Sequence, residues 1–236
     1  MPSCARKYQL TGSLLYHIYS RSASGREIFR LPQDYAHFAR LASRYTELFH
    51  AKLYHWAIMP NHYHLLLEIE QPEQISSMMA GISRAYTHYH HKVYETFGFL
   101  WQGRFKMQPV EKESYIFACA RYIERNPVRA KMVSCAEQYP YSSAAFYCTG
   151  RPDAVTCEDP MFHEFGADAR SRQAAYKKYL REFDYEEEKY YSRLSDPVGG
   201  AKFINLLRKE GGRPVSYRRG RAPVRNRRKV IQLGKT

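Results

Sequence analysis

Residues 52–70, "KLYHWAIMPNHYHLLLEIE", decide the fold. Two apolar runs of strand length flank Pro60-Asn61, a turn-forming pair, so 52–59 and 62–70 read as adjacent antiparallel strands. Outward from this hairpin the pattern changes period. "SLLYHIYSR" (13–21) alternates weakly and reads as a strand. Residues 31–50 carry Phe38, Leu41, Tyr45 and Leu48 at helical spacing, with Asp34 near the helix start. Residues 74–97 place Ile75, Met78, Met79, Ile82, Ala85 and Tyr89 on one side of a second helix, which Gly98 is expected to end. Residues 100–110 read as a strand or extended arm. Residues 111–125 read as a helix limited by Pro127, because proline disfavours helical geometry in the residue before it.

The resulting order is β-α-β-β-α-β-α. Helices alternate with strands, yet the central pair is a hairpin. This predicts an α+β fold of the ferredoxin-like, split β-α-β kind: an antiparallel sheet with helices on one face. Such a sheet leaves its second face or an edge available to a ligand. After residue 148 the character shifts to a loop, a charged helical stretch (169–194), a short helix between glycines (197–214) and a basic tail. The expected division is a domain over 1–148, a helical extension over 149–207 and a flexible basic tail over 208–236.

Charge follows the same division. Of the net +14, residues 208–236 hold eleven Lys/Arg against one acid, residues 1–150 seventeen against eleven, and residues 151–207 nine against eleven. A basic chain without an apolar run of membrane-spanning length implies a polyanion partner, usually nucleic acid, although a solvated basic tail on an unrelated enzyme has the same composition. The N-terminus lacks a signal-peptide pattern, so a cytoplasmic, nucleoid-associated location is expected. The five cysteines (Cys4, Cys119, Cys135, Cys148, Cys157) form no C-x-x-C pair, which predicts reduced thiols rather than a disulfide framework.

His62 and His64 are two apart in a strand, so they share a face, roughly 7 Å from each other. Tyr63, Leu65, Leu67 and Ile69 take the opposite face. Two imidazoles are half of a metal site, or two ordinary polar residues on a solvent face. In the helix at 111–125, Tyr122 and Asn126 are at i, i+4 and stack on one side. An amide oxygen from Asn126 could complete a His-His-Asn set, with the Tyr122 phenol beside it. Tyr115, two turns earlier, is a competing phenol without an Asn one turn on. The histidines of "YTHYHHK" (86–92) have no clean ligand spacing.

"MPNHYHLLLE" resembles the His-hydrophobic-His motif of the single-tyrosine transposases of the HUH nuclease superfamily. "RYIERNPVRAKMV" (121–133) resembles the tyrosine-helix motif of their REP-associated members, with Lys131-Met132 where the family usually has Gly-Leu. "FLWQGRFK" (99–106) and "YHIYSRSASGREIF" (16–29) resemble segments that the family carries in the same order. The resemblance runs from about 14 to 148. It implies His62, His64 and Asn126 as ligands of Mg²⁺ or Mn²⁺ and Tyr122 as the nucleophile. The implied activity is cleavage and strand transfer of single-stranded DNA beside a REP-like hairpin through a 5′-phosphotyrosine, by a monomer or homodimer. A phenol with a pKa near ~10 is a poor nucleophile at neutral pH, which is why such chemistry needs a cation at the phosphate. Arg104, Lys106, Arg121 and Arg129 lie near these motifs and are the expected backbone contacts. "RRGRAP" (218–223) resembles an AT-hook core with Ala222 inserted, so Arg218, Arg219 and Arg221 are further DNA-contact candidates. Two other readings stay open: a non-catalytic hairpin-binding protein, and a zinc hydrolase using His62 and His64 with Glu68 as base.

Overall fold

The computed structural model describes residues 15–182, 185, 191 and 197–210, the side chains of 208–210 excepted. Arg218, Arg219, Arg221 and the rest of the tail from 211 onward lie outside the described residues. Four strands form one sheet: β1 (Leu15–Arg21), β2 (Ala51–Met59), β3 (His62–Ile69) and β4 (Lys106–Pro109), in the order β2-β3-β1-β4. All three neighbouring pairs are antiparallel. Helix α1 (Pro32–Leu48) joins β1 to β2 and α2 (Ile75–Tyr94) joins β3 to β4, which is the ferredoxin-like order. Among the described residues, no helix is long and apolar enough to cross a membrane.

Helices α1 and α2 close the first face. Tyr16, Ile18, Trp56, Ile58, Tyr63, Leu65 and Leu67 project from the strands onto Phe38 and Ala42 of α1 and Met78, Met79 and Ile82 of α2. Pro32 opens α1, and the Asp34 carboxylate accepts from the backbone N–H groups of Arg30 and Leu31, satisfying amides the helix start leaves open. The two helices approach closely at Gly81, where an added Cβ would sit 2.2 Å from the Tyr45 ring. Helix α2 ends earlier than expected: Glu95 takes the left-handed cap at φ 51°, and Gly98 turns the chain three residues later.

The second face carries a second layer. Helix α3 (Lys112–Glu124) lies against β2 and β3, followed by the single turn α4 (Asn126–Arg129), α5 (Ala144–Thr149) and α6 (Ala169–Arg181). Helix α3 stops just before Pro127, as the sequence predicts, and α4 restarts with that proline in its first turn. Phe162, Tyr176, Leu180, Tyr191 and Val198 share a core with Ile116, Phe117, Ala120 and Ile123, so the C-terminal extension is built onto α3. Val198 bridges Val110 at the end of β4, ahead of helix α7 (Ala201–Glu210). A bulge in β2 shifts the register between Leu53 and His55, so Tyr54 and His55 both serve this second layer. The four cysteines among the described residues are free thiols.

Candidate active site

Strand register assembles the site. Arg21 pairs with His62 and Tyr19 with His64, while on the other side of β1 Tyr19 pairs with Lys106 and His17 with Gln108. Paired residues in an antiparallel sheet share a face. The second face therefore carries a polar stripe through β3, β1 and β4 at the end nearest the Pro60-Asn61 turn. His17 and Gln108 are members that periodicity within single strands could not identify, since their meeting with His64 depends on which strands pair.

Hydrogen bonds set the tautomers of the imidazoles. Asn61 donates its amide N–H to Gly25 O, which turns its Oδ1 toward His62 to accept from Nδ1 at 2.6 Å. Gln108 Oε1 accepts from His17 Nδ1 at 2.7 Å. His17 Nε2 is then a lone pair and accepts from His64 Nδ1 at 2.9 Å. Both His62 and His64 are left with Nε2 lone pairs. Burial holds His62 down to about 4, against a hydrogen bond that its protonated ring would donate to Asn126, and with further lowering by Arg21 and Arg129. Burial, followed by His17, His62 and Arg129, holds His64 well below the usual histidine range. Two neutral imidazoles thus stand 5.1 Å apart, ring centre to ring centre, with their planes crossed at 88°.

Helices α3 and α4 deliver the other groups. Asn126 donates its side-chain amide to the carbonyls of Tyr122 and Ile123 at 2.9 and 3.0 Å, capping the broken helix and turning Oδ1 outward. That oxygen accepts from Arg129 and lies within hydrogen-bond reach of His62. Tyr122 is only 4% exposed. Its ring meets His64 edge-on at 5.8 Å and His17 at 6.1 Å, with the Arg129 guanidinium over it at 4.5 Å. Tyr191, from the C-terminal extension, stacks on Tyr122 at 5.7 Å with 27° between planes.

The donor set fits a divalent cation. His62, with its Nδ1 proton committed to Asn61, turns an acceptor toward the acceptor Oδ1 of Asn126, an arrangement that a shared cation favours. Two imidazoles and one amide make an open, partial site whose remaining positions suit phosphate oxygens and water. Among the described residues, no three His, Cys, Asp or Glu side chains form a metal-binding group. Glu68, the base in the zinc-hydrolase reading, sits near the far end of β3 and is engaged by the Tyr54 hydroxyl at 2.7 Å and by Lys112.

A fourth histidine lies beneath α3. His55 is fully buried between Glu124 at 2.9 Å and Asp159 at 3.3 Å. Burial opposes its charge, but the hydrogen bonds to Asp159 and Glu124 outweigh this and lift it to about 9. Ser143 and Tyr176 donate hydroxyls to the same Glu124 carboxylate. This cluster pins the last turn of α3, the turn that bears Tyr122, to β2 and to the extension.

The other expected contacts divide. Arg129 belongs to the site. Lys106 is exposed at its rim, with Nζ 5.5 Å from the Tyr19 ring centre. Arg104 is exposed on the preceding loop. Arg121 is buried and packs over the Tyr179 ring at 4.2 Å, where it joins α3 to α6 rather than facing open solvent. Tyr115 packs on the second core two turns before Tyr122.

Residues 11–126 match the family model of IS200-like transposases. Among solved structures, the chain is similar to a REP-associated tyrosine transposase bound to a REP hairpin. The identity is 19%, the match covers 67% of this chain and 93% of that one, and the TM-score is 0.54, which is a likeness of fold. A structure described as a transposase candidate from Deinococcus radiodurans R1 matches at 16% identity, over 56% of this chain and 92% of that one, with a TM-score of 0.36. No curated protein matches the chain. The segment that matches the IS200-like transposase family model contains the sheet, the histidine pair and the tyrosine helix.

Proposed function

We propose that the chain is a metal-dependent, single-tyrosine DNA endonuclease and strand transferase that acts on single-stranded DNA beside a hairpin. The observation that carries this reading is the meeting of His62, His64, Asn126 and Tyr122 on one sheet face, with both imidazoles neutral. The structural neighbour's hairpin ligand supports a hairpin as the recognised DNA.

The Tyr122 oxygen attacks the scissile phosphorus, and the bond from phosphorus to the 3′ oxygen breaks. The phenolic proton passes to solvent, and the departing 3′ oxygen takes one up. The product is a 5′-phosphotyrosine and a free 3′-hydroxyl, and a second 3′-hydroxyl reverses the step to join strands without ATP. Arg129 holds the Tyr122 ring and the Asn126 oxygen in one frame and offers positive charge to the phosphate. His17 and Gln108 keep His64 in the tautomer that presents Nε2. A bound Mg²⁺ or Mn²⁺, held by His62, His64 and Asn126, would neutralise charge at the phosphate and at the leaving oxygen.

The test is a denaturing gel after incubation of labelled hairpin DNA bearing single-stranded flanks with protein and Mn²⁺. A covalent protein–DNA band should form, vanish in Tyr122→Phe and persist in Tyr115→Phe. One observation favours a second reading, hairpin binding without cleavage: Tyr122 is buried under Tyr191. Tyr191→Ala should raise adduct yield if the stack is a removable cover. Tight binding with no adduct in either protein would establish the non-catalytic reading.

A further inference from the structure

Phe97 and Phe99 are 92% and 89% exposed, the extremes among the large apolar side chains described; the next, Leu48, is 65% exposed. They flank Gly98, whose φ of 85° turns the loop between α2 and β4. Exposed phenyl rings on a slack loop would mean little, but this loop is anchored. His91 bonds Thr96 through Nδ1 at 2.9 Å and accepts no slack at Gly98, whose carbonyl takes its Nε2 at 3.1 Å. Arg26 donates to Phe99 O at 2.8 Å, Ala23 N donates to Leu100 O at 2.8 Å, and the Leu100 side chain is buried. The backbone is held at both ends while the two rings stand in solvent.

The surroundings are cationic. Segments 21–30 and 91–106 carry Arg21, Arg26, Arg30, Lys92, Arg104 and Lys106 against two acids, Glu27 and Glu95. The loop also leads to the site. Gln102 N donates to Arg21 O, Trp101 bridges Ser22, and Arg21 pairs with His62. Two strand spacings and three residues of chain place Phe99 roughly 15 Å from His62. A few nucleotides of unstacked backbone cover that span.

We infer that Phe97 and Phe99 form a stacking platform for unpaired bases of the DNA strand that runs into the site, with the surrounding arginines and lysines tracking its phosphates. The inference rests on the DNA-cleavage reading for its ligand and adds the place where the single strand is gripped. Aromatic rings stack any base, so the platform contributes affinity for unpaired DNA with little sequence preference. It offers much less to a closed duplex, whose bases are already stacked.

The experiment measures binding of a mixed-sequence single-stranded 20-mer and of the matching blunt duplex, by fluorescence anisotropy across a salt series. Wild type is compared with the double variant Phe97→Ala/Phe99→Ala and with Phe97→Trp, with the melting temperature recorded for each. The double variant should lose about tenfold or more in single-strand affinity, with duplex affinity and the salt slope unchanged, since no charge is removed. Phe97→Trp should retain affinity, and its indole emission should be quenched by the single strand. Equal single-strand affinity in wild type and double variant overturns the platform while leaving the cleavage reading intact. Parallel loss on single strand and duplex also overturns it, as does a change confined to oligomeric state. Wild type that binds neither DNA overturns both the platform and the reading beneath it.

Discussion

Two groups of histidines sit on the same face of the same sheet and are held in opposite states. His55 lies between two carboxylates, and its folded pKa rises to about 9, so it is a buried cation in a satisfied network. His17, His62 and His64 lie among amides, one another and arginines. With no carboxylate against them, burial lowers all three. The first arrangement consumes its lone pairs and welds α3 in place. The second keeps two Nε2 lone pairs available beside a tyrosine. What separates a structural histidine from a candidate ligand here is the partner set, since His55, His17 and His64 are all deeply buried.

The two histidine environments should respond in opposite ways to substitution. His64→Ala should lower adduct formation by about a thousandfold or more, as loss of a metal ligand or nucleophile partner does, with the native fold retained. Glu124→Gln should do the converse at the other cluster. It leaves a charged His55 with one of its two counter-charges gone, and a loss of about 3 kcal/mol in unfolding free energy is expected from denaturant titration. An unchanged midpoint would mean that the buried network contributes little.

Gln108→Leu should have a milder effect. Removing the acceptor for His17 Nδ1 frees His64 to change tautomer, and Mn²⁺ affinity should fall about 10- to 100-fold with folding intact. Long-range ¹⁵N–¹H correlation spectra would read the tautomers directly. His64 should carry its proton on Nδ1 in wild type and show a mixture in the variant.

The smallest effect is on pH. His55 has its folded pKa raised above the unfolded value of 6.5, so its contribution is full below about 6.5 and is lost as pH rises through about 9. Unfolding free energy measured from pH 6 to 10 should decline across that window. The decline should flatten in His55→Phe, even if that variant is less stable throughout. A wild-type profile flat to pH 10 would contradict the raised pKa.

Much of this was legible before any coordinates. The hairpin at 52–70 is local, so its turn residues and run lengths suffice, and helices α1 to α3 announce themselves by spacing. His62 and His64 lie within one strand, and Tyr122 and Asn126 are only four residues apart across the α3–α4 junction. What stayed hidden depends on distant partners. His17 and Gln108 join the site through the β1–β3 and β1–β4 registers, across 47 and 91 residues of chain. The bulge after Leu53, which turns both Tyr54 and His55 to one side, breaks the alternation that a strand reading assumes. Arg121 beside Tyr122 looked like a phosphate contact by proximity, but a step of one residue on a helix points it at α6 instead.

The proposed function requires neutral His62 and His64, with the Asn126 oxygen, to hold one cation beside Tyr122. Its most direct test is Mn²⁺ titration followed by electron paramagnetic resonance. Wild-type protein should bind one Mn²⁺ with ¹⁴N hyperfine coupling from imidazole, and the coupling should disappear in His62→Ala/His64→Ala while the fold persists. Manganese that binds without nitrogen coupling, or equally well to the double variant, would contradict it.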